Sequence, residues 1–201
     1  MPCFGKSALI SIALAAASWA QTNAGGRPVH DEAQRLARWK EVRMPFQQAG
    51  LSARERQMVE KLVDACRLLD DLFWRQSDLG GLTLCRKTHE PTIRTLLRIM
   101  AGRWDVAGEN RPFIGEMPMP RGHELYPHDL TRAQIGPDDR AAIYSSTTVV
   151  KWQNGRLVGV PYHQEYRSLL QAMAQALREA AALAPDAAFA NYLCGCAPMP
   201  S

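Results

Sequence analysis

RPFIGEMPMPRGHELYPHDLT, residues 111–131, decides how the rest of this 201-residue chain is read. The stretch holds four prolines and two glycines, yet it also carries Phe113, Ile114, Met117, Met119, Leu125 and Tyr126. A solvated linker is polar and does not concentrate apolar side chains in this way. The composition therefore predicts an ordered, largely irregular segment pinned onto a core. It separates a helical part from a part made of a strand pair and further helices.

Working outward toward the N-terminus, Ala33, Leu36, Ala37 and Trp39 give a helical pattern over Asp31–Arg43, which Pro45 ends. Ser52 and Glu55 then form an S-x-x-E capping box. Met58, Val59, Leu62, Val63, Cys66, Leu69, Leu72 and Phe73 follow at helical spacing, so a helix is expected to about Gln76 with that stripe inward. Asp70 and Asp71 are adjacent and point about 100° apart on a helix, so they do not share one ligand. Gly80–Glu90 reads as a connector. Pro91 suits a first helical turn, Ile93, Leu96, Leu97 and Met100 make one stripe, and Gly102 is the expected stop.

Toward the C-terminus, Thr131 and Gln134 make a second capping box above a short helix that Gly136-Pro137 closes. The period then changes. Ile143–Trp152, IYSSTTVVKW, is rich in β-branched and aromatic residues; Asn154-Gly155 is a turn dipeptide, and Arg156–Tyr162 returns as a strand. Pro161 marks that strand's end or an edge. A long helix is expected over His163–Ala184, with Tyr166, Leu169, Leu170, Met173, Leu177, Ala180 and Ala181 on one face. Pro185 breaks it and Asp186 caps a further turn. CGCAPMPS, residues 194–201, has no periodicity and reads as an aberrant C-terminal tail. The fold class is α+β: mainly helical, about four main helices, with one β-hairpin.

The apolar fraction of 46% is enough for a core, and one domain or part of a larger one is expected at this length. The net charge is +4, with both signs mixed and no basic stripe interleaved with aromatics, which argues against a nucleic-acid partner. At the N-terminus, Lys6, the apolar run Ser7–Ala17 and the small residues Ser18 and Ala20 make a signal-peptide pattern, with a second possible cleavage point after Ala24. Residues 1–24 are thus expected to be removed on export to the periplasm or outside, leaving no stable membrane anchor, because the run is short for a bilayer span. Export would leave Cys66, Cys85, Cys194 and Cys196 in an oxidising compartment. Four cysteines allow three pairings, and the spacing does not choose among them. Cys66 falls on the apolar stripe and reads as a buried thiol, while the Cys194-Gly-Cys196 tail is a candidate to form a disulfide with Cys85.

Candidate chemistry is sparse. His123-Glu124-Leu125-Tyr126-Pro127-His128 invites comparison with the zinc motif H-E-x-x-H. Its second histidine comes five residues on rather than four, and Pro127 interrupts a helix. His89-Glu90-Pro91 has no second histidine at all at that spacing. No G-x-S-x-G elbow, P-loop or G-x-G-x-x-G occurs in the sequence. Tyr126, Tyr144 and Tyr162 are the candidate substrate-binding residues, beside the hairpin. No catalytic residue, metal ligand or cofactor is assigned. A Cys194/Cys196 metal site is the weakest of the alternatives.

Three separated segments resemble, in order, the N-terminal region of bacterial zinc peptidases of the dipeptidyl-peptidase III family, peptidase family M49. They are ERQMVEKLVDACRLLDDLFWRQ (55–76), RPFIGEMPMPRGHELYPHDLT (111–131) and IYSSTTVVKWQNGRLVGVPYHQEY (143–166). The resemblance covers 51–193 and implies that 31–193 is a partial lobe of a larger two-lobed metallopeptidase acting on peptides. It implies zinc held by an H-E-L-x-G-H motif and an E-E-x-x-A motif. Neither occurs in these 201 residues, so no site residue is carried over, and His123-Glu124-Leu125 belongs to the Y-P-x-D-L-T segment instead. The resemblance further implies a helix running past Leu193, so a truncated or frameshifted copy is expected. The expectation is therefore a non-catalytic N-terminal portion of an exported zinc-dependent hydrolase. The other reading is a stand-alone periplasmic module holding an extended peptide against the hairpin edge, near Tyr126 and Tyr162.

Overall fold

Helices dominate because apolar residues recur at helical spacing over most of the chain. A computed structural model describes residues 31–45, 49–137 and 140–197, all within one unit, Asp31–Ser201. The signal-peptide reading of residues 1–24 lies outside the described residues, as does the tail beyond Ala197.

The longest helix, α2 (Ala53–Ser77), follows the short α1 (Glu32–Leu36). Ser52 and Glu55 close the capping box at its start, as expected. Its partner is α7 (Arg167–Leu183), packed antiparallel to it. Met58 meets Ala180, Ala181 and Ala184, and Lys61 Nζ lies 2.6 Å from Glu179 Oε2. At the other end of the pair Gln76 bonds the Tyr166 hydroxyl, whose pKa burial pushes up to about 12. Alanines on α7 let the two helices approach closely. The final helix, α8 (Ala187–Cys196), is capped by Asp186 through the Phe189 N–H and covers the α2/α7 end with Leu193.

Two elements between α2 and the central segment complete a second core. They are α3 (Leu79–Lys87) and α4 (Pro91–Met100), with Pro91 in the first turn of α4. Trp74, Leu82, Leu96, Leu97, Met100 and Phe113 pack together there. Phe113 and the adjoining Ile114 are how the central segment is pinned, so the ordered irregular reading of 111–131 holds. Only two short pieces are regular within it: β2 (Arg111–Pro112), paired antiparallel with β1 (Trp104–Asp105), and one 3-10 turn at His123–Leu125.

The hairpin consists of β3 (Thr148–Gln153) and β4 (Arg156–Pro161), in the register Val149↔Val160, Lys151↔Val158 and Gln153↔Arg156. Asn154 and Gly155 take φ of +50° and +74°, the left-handed pair that a two-residue turn between twisted strands requires. Val150 and Leu157 face Ile143, which ends α5 (Arg140–Ile143), with Tyr126, Leu130 and Ile135 against them. A four-residue helix, α6 (Tyr162–Glu165), leads into α7.

Several expectations need correction. The expected helix over Asp31–Arg43 stops at Leu36. Gly80–Glu90 is not a connector; α3 spans most of it, because the Asp78 side chain caps it through the Gly81 N–H at 2.9 Å. Ile143 lies in α5, so the first strand starts later, at Thr148. The long C-terminal helix is interrupted at Tyr166. Helix α8 runs through Cys194–Cys196 rather than stopping before it. All four of the cysteines named above are free thiols, and Cys66 is exposed rather than buried. The inward face of α2 is set instead by Met58, Ala65 and Trp74.

Candidate functional site

Two cavities adjoin the central segment, and their electrostatics differ. The first, of about 500 Å³, lies between α1 and the β1–β2 pair and is lined by Asp31, Gln34, Arg35, Arg38, Asp105, Gly108, Glu109 and Arg111. Its charges are already matched. Asp105, 1% exposed, accepts from Arg35 at 2.6 Å and from Arg38. Arg35 also reaches Asp31 at 2.7 Å, and Arg111 reaches Glu109 at 2.5 Å. Burial pushes the Asp105 carboxyl up, but Arg38 and Arg35 outweigh it and hold its pKa below the ordinary value. This cluster ties α1 to β1 and leaves no arginine for a ligand.

That tie has a pH signature. A carboxyl whose folded pKa is depressed contributes its full stability above the unfolded pKa of about 3.9, and loses it as pH falls through the lower folded value. We expect the urea midpoint to fall with pH below about 4, and Asp105→Asn to flatten that dependence. The substitution should cost about 1.5–3 kcal/mol at pH 7, the range for hydrogen bonds to charged groups. A midpoint at pH 7 unchanged by Asp105→Asn would contradict this.

The second cavity, of about 370 Å³, is built by the central segment itself. It is lined by Pro120, Arg121, Gly122, His123, Tyr126, Pro127, His128, Leu130, Thr131, Arg132 and Ile135. Gly122 is required where it stands: a Cβ there would sit 2.5 Å from Tyr126 Cδ2. His123 follows with φ of +50°, a left-handed conformation that costs a non-glycine residue about 1–3 kcal/mol. The Tyr126 hydroxyl donates to the Ile143 carbonyl at 3.1 Å, which fixes the ring as one wall.

The sequence-derived candidates are placed as follows. Tyr126 lines this cavity, whereas Tyr144 and Tyr162 do not. Tyr144 stands exposed beyond α5, and Tyr162 packs its ring against Tyr166 at 5.8 Å between centroids. Glu124 accepts from the Leu79 N–H at 3.2 Å and lies 3.7 Å from His128 Nε2, so it serves the start of α3. His123 and His128 both line the cavity, and His123 Nδ1 is buried with no hydrogen-bond partner. Among the described residues no three His, Cys, Asp or Glu side chains converge as metal donors. The residues that sequence reasoning missed are Arg121 and Arg132. Only their place beside Pro120 and Thr131 in the apolar, proline-rich stretch could have singled them out.

A scan of protein-family models found no match, and a search of curated proteins found none. Solved structures do match. The structure of DPP III from Caldithrix abyssi superposes with a TM-score of 0.74 at 29% identity, over 82% of this chain and 34% of that one. Dipeptidyl-peptidase III from Corallococcus sp. strain EGB does so with a TM-score of 0.71 at 28% identity, over 83% of this chain and 34% of that one. The chain therefore has the fold of a part of dipeptidyl-peptidase III, as the resemblance of its three segments implied, and spans about a third of the length of these relatives.

Proposed function

We propose that this chain is the non-catalytic N-terminal portion of an exported, zinc-dependent dipeptidyl-peptidase III-like hydrolase that acts on peptides. The observation that carries this reading is the superposition at a TM-score of 0.74 over 82% of the chain but only 34% of its relative. The surface supports it. On α2, Leu69 and Phe73 are 54% and 53% exposed, Val63 is 42% exposed, and Cys66 lies open between them. Isolated exposed apolar residues are ordinary, but a row of them along one helix marks a face that another part of a molecule covers. In this reading the zinc ligands and the general base belong to the rest of the enzyme.

The test uses the full chain with added zinc and a short peptide, read by mass spectrometry. No dipeptide release is expected from this chain by itself. Zinc bound one to one together with release of N-terminal dipeptides would overturn the non-catalytic assignment. The same preparation is expected to bind an apolar dye at the α2 face and to self-associate. A monodisperse, dye-silent chain that captures an extended peptide at the hairpin edge would favour the stand-alone module instead. Export is checked by the N-terminal mass of the protein recovered from cells: a start after Ala20 or Ala24 is expected, and a retained Met1 would exclude it.

A further inference from the structure

We infer that the cavity of the central segment binds an organic carboxylate with an apolar body. This stands apart from the peptidase reading, because it rests only on the groups lining the cavity.

The charge is the first reason. Arg121 and Arg132 line the cavity, and among the described residues neither side chain has an ion pair or hydrogen bond, unlike Arg35, Arg38 and Arg111 in the neighbouring cavity. Among the described residues no aspartate or glutamate lines it. The two guanidiniums give the lining a surplus of positive charge, which is the complement of an oxyanion. A guanidinium presents a planar fork that matches a carboxylate with two parallel hydrogen bonds.

The second reason separates a carboxylate from a phosphate. Tyr126, Leu130 and Ile135 form an apolar floor continuous with the hairpin core. Pro120 and Pro127 bring no backbone N–H, and the Thr131 hydroxyl is already donated to Gln134 at 2.7 Å. A compact dianion needs donors on all sides, and these walls do not supply them. A ligand whose one end is a carboxylate and whose other end is apolar satisfies both halves. The volume, about 370 Å³, is at the small end of the range for small-molecule sites and suits one amino-acid-sized body.

The experiment is calorimetric titration of the full chain with N-acetylleucine, with N-acetylleucinamide and with inorganic phosphate. The acid is expected to bind at millimolar concentration or below, and the amide about tenfold or more weakly, since it loses the charge-assisted pair. Replacing both arginines, Arg121→Gln with Arg132→Gln, should weaken the acid about tenfold and leave the amide unchanged. Both side chains are exposed and unpaired, so the variant should keep the parent's urea midpoint. The acid-against-amide comparison on the unmodified chain stands even if it does not. The proposal fails if the acid shows no saturable binding up to about 20 mM, if the amide binds equally well, if phosphate binds as tightly as the acid, or if the double variant keeps the parent's affinity.

Discussion

Asp78→Ala is expected to destabilise this protein by about 3–5 kcal/mol, the cost of breaking a buried ion pair by removing one partner. Asp78 is fully buried at the junction of α2 and α3. Its carboxylate accepts from the Gly81 N–H at 2.9 Å, from the Arg103 N–H at 2.9 Å, and from the Arg103 guanidinium at 2.8–3.2 Å. One side chain thus starts a helix, holds the loop after α4 and neutralises an arginine. Arg103 in turn lies over the Trp104 ring at 5.1 Å. Alanine leaves the Gly81 and Arg103 N–H groups and a guanidinium without their acceptor. Gly81 shows how closely the pocket is fitted, since a Cβ there would stand 2.4 Å from Asp78 Oδ2. Single domains hold only about 5–15 kcal/mol in total, so the loss should be plain in a urea titration. Asp78→Asn keeps an acceptor for the helix cap and should cost less than alanine. A midpoint shift worth under about 1 kcal/mol for Asp78→Ala would show that the carboxylate carries none of these roles.

Leu97→Ala should follow, at about 2–5 kcal/mol. Leu97 has no exposed surface and sits among Trp74, Leu82, Leu96, Met100 and Phe113, so truncation removes apolar burial and leaves a void. The matched control is Leu69→Ala on α2. Leu69 is 54% exposed and should change stability by no more than about 0.5 kcal/mol. Equal costs for the two leucines would mean that the α2 face is covered within this chain, against the surface described above.

Those two leucines also show how far the sequence could be read. Local chemistry was legible wherever it is self-contained. The Ser52–Glu55 box, Pro91, the Asn154-Gly155 turn and the Asp186 cap each act within a few residues, and each stands where its residue type predicts. The inward face of α2 was not legible. Periodicity sums every apolar residue on the helix, so the stripe containing Cys66, Leu69 and Phe73 outweighed the narrower buried face of Met58, Ala65 and Trp74. A helix with two apolar faces, one inside and one open, offers a single averaged pattern. Helix α3 was hidden for another reason. Gly80 and Gly81 are poor helix formers, and what overrides them is the buried Asp78–Arg103 cluster, whose members lie 25 residues apart. Of the three tyrosines singled out beside the hairpin, Tyr126 lines the second cavity and Tyr144 and Tyr162 do not. The unpaired state of Arg121 and Arg132 is a fact about what is missing around them, and sequence does not record it. The comparison with known structures, over 82–83% of the chain, agrees with the family that the three segments resemble.

The antiparallel α2/α7 pair has a consequence in time. Lys61 meets Glu179, so the main helical contact joins positions about 120 residues apart. At about 5–20 residues per second, synthesis needs some 6–24 s to reach Glu179 after Lys61 has been made. For that period nascent α2 has neither α7 nor α8 to cover Met58 and Leu62. Helix α2 therefore stays without its main packing partner until α7 has been made. Its docking is a late event in folding, set by the arrival of α7.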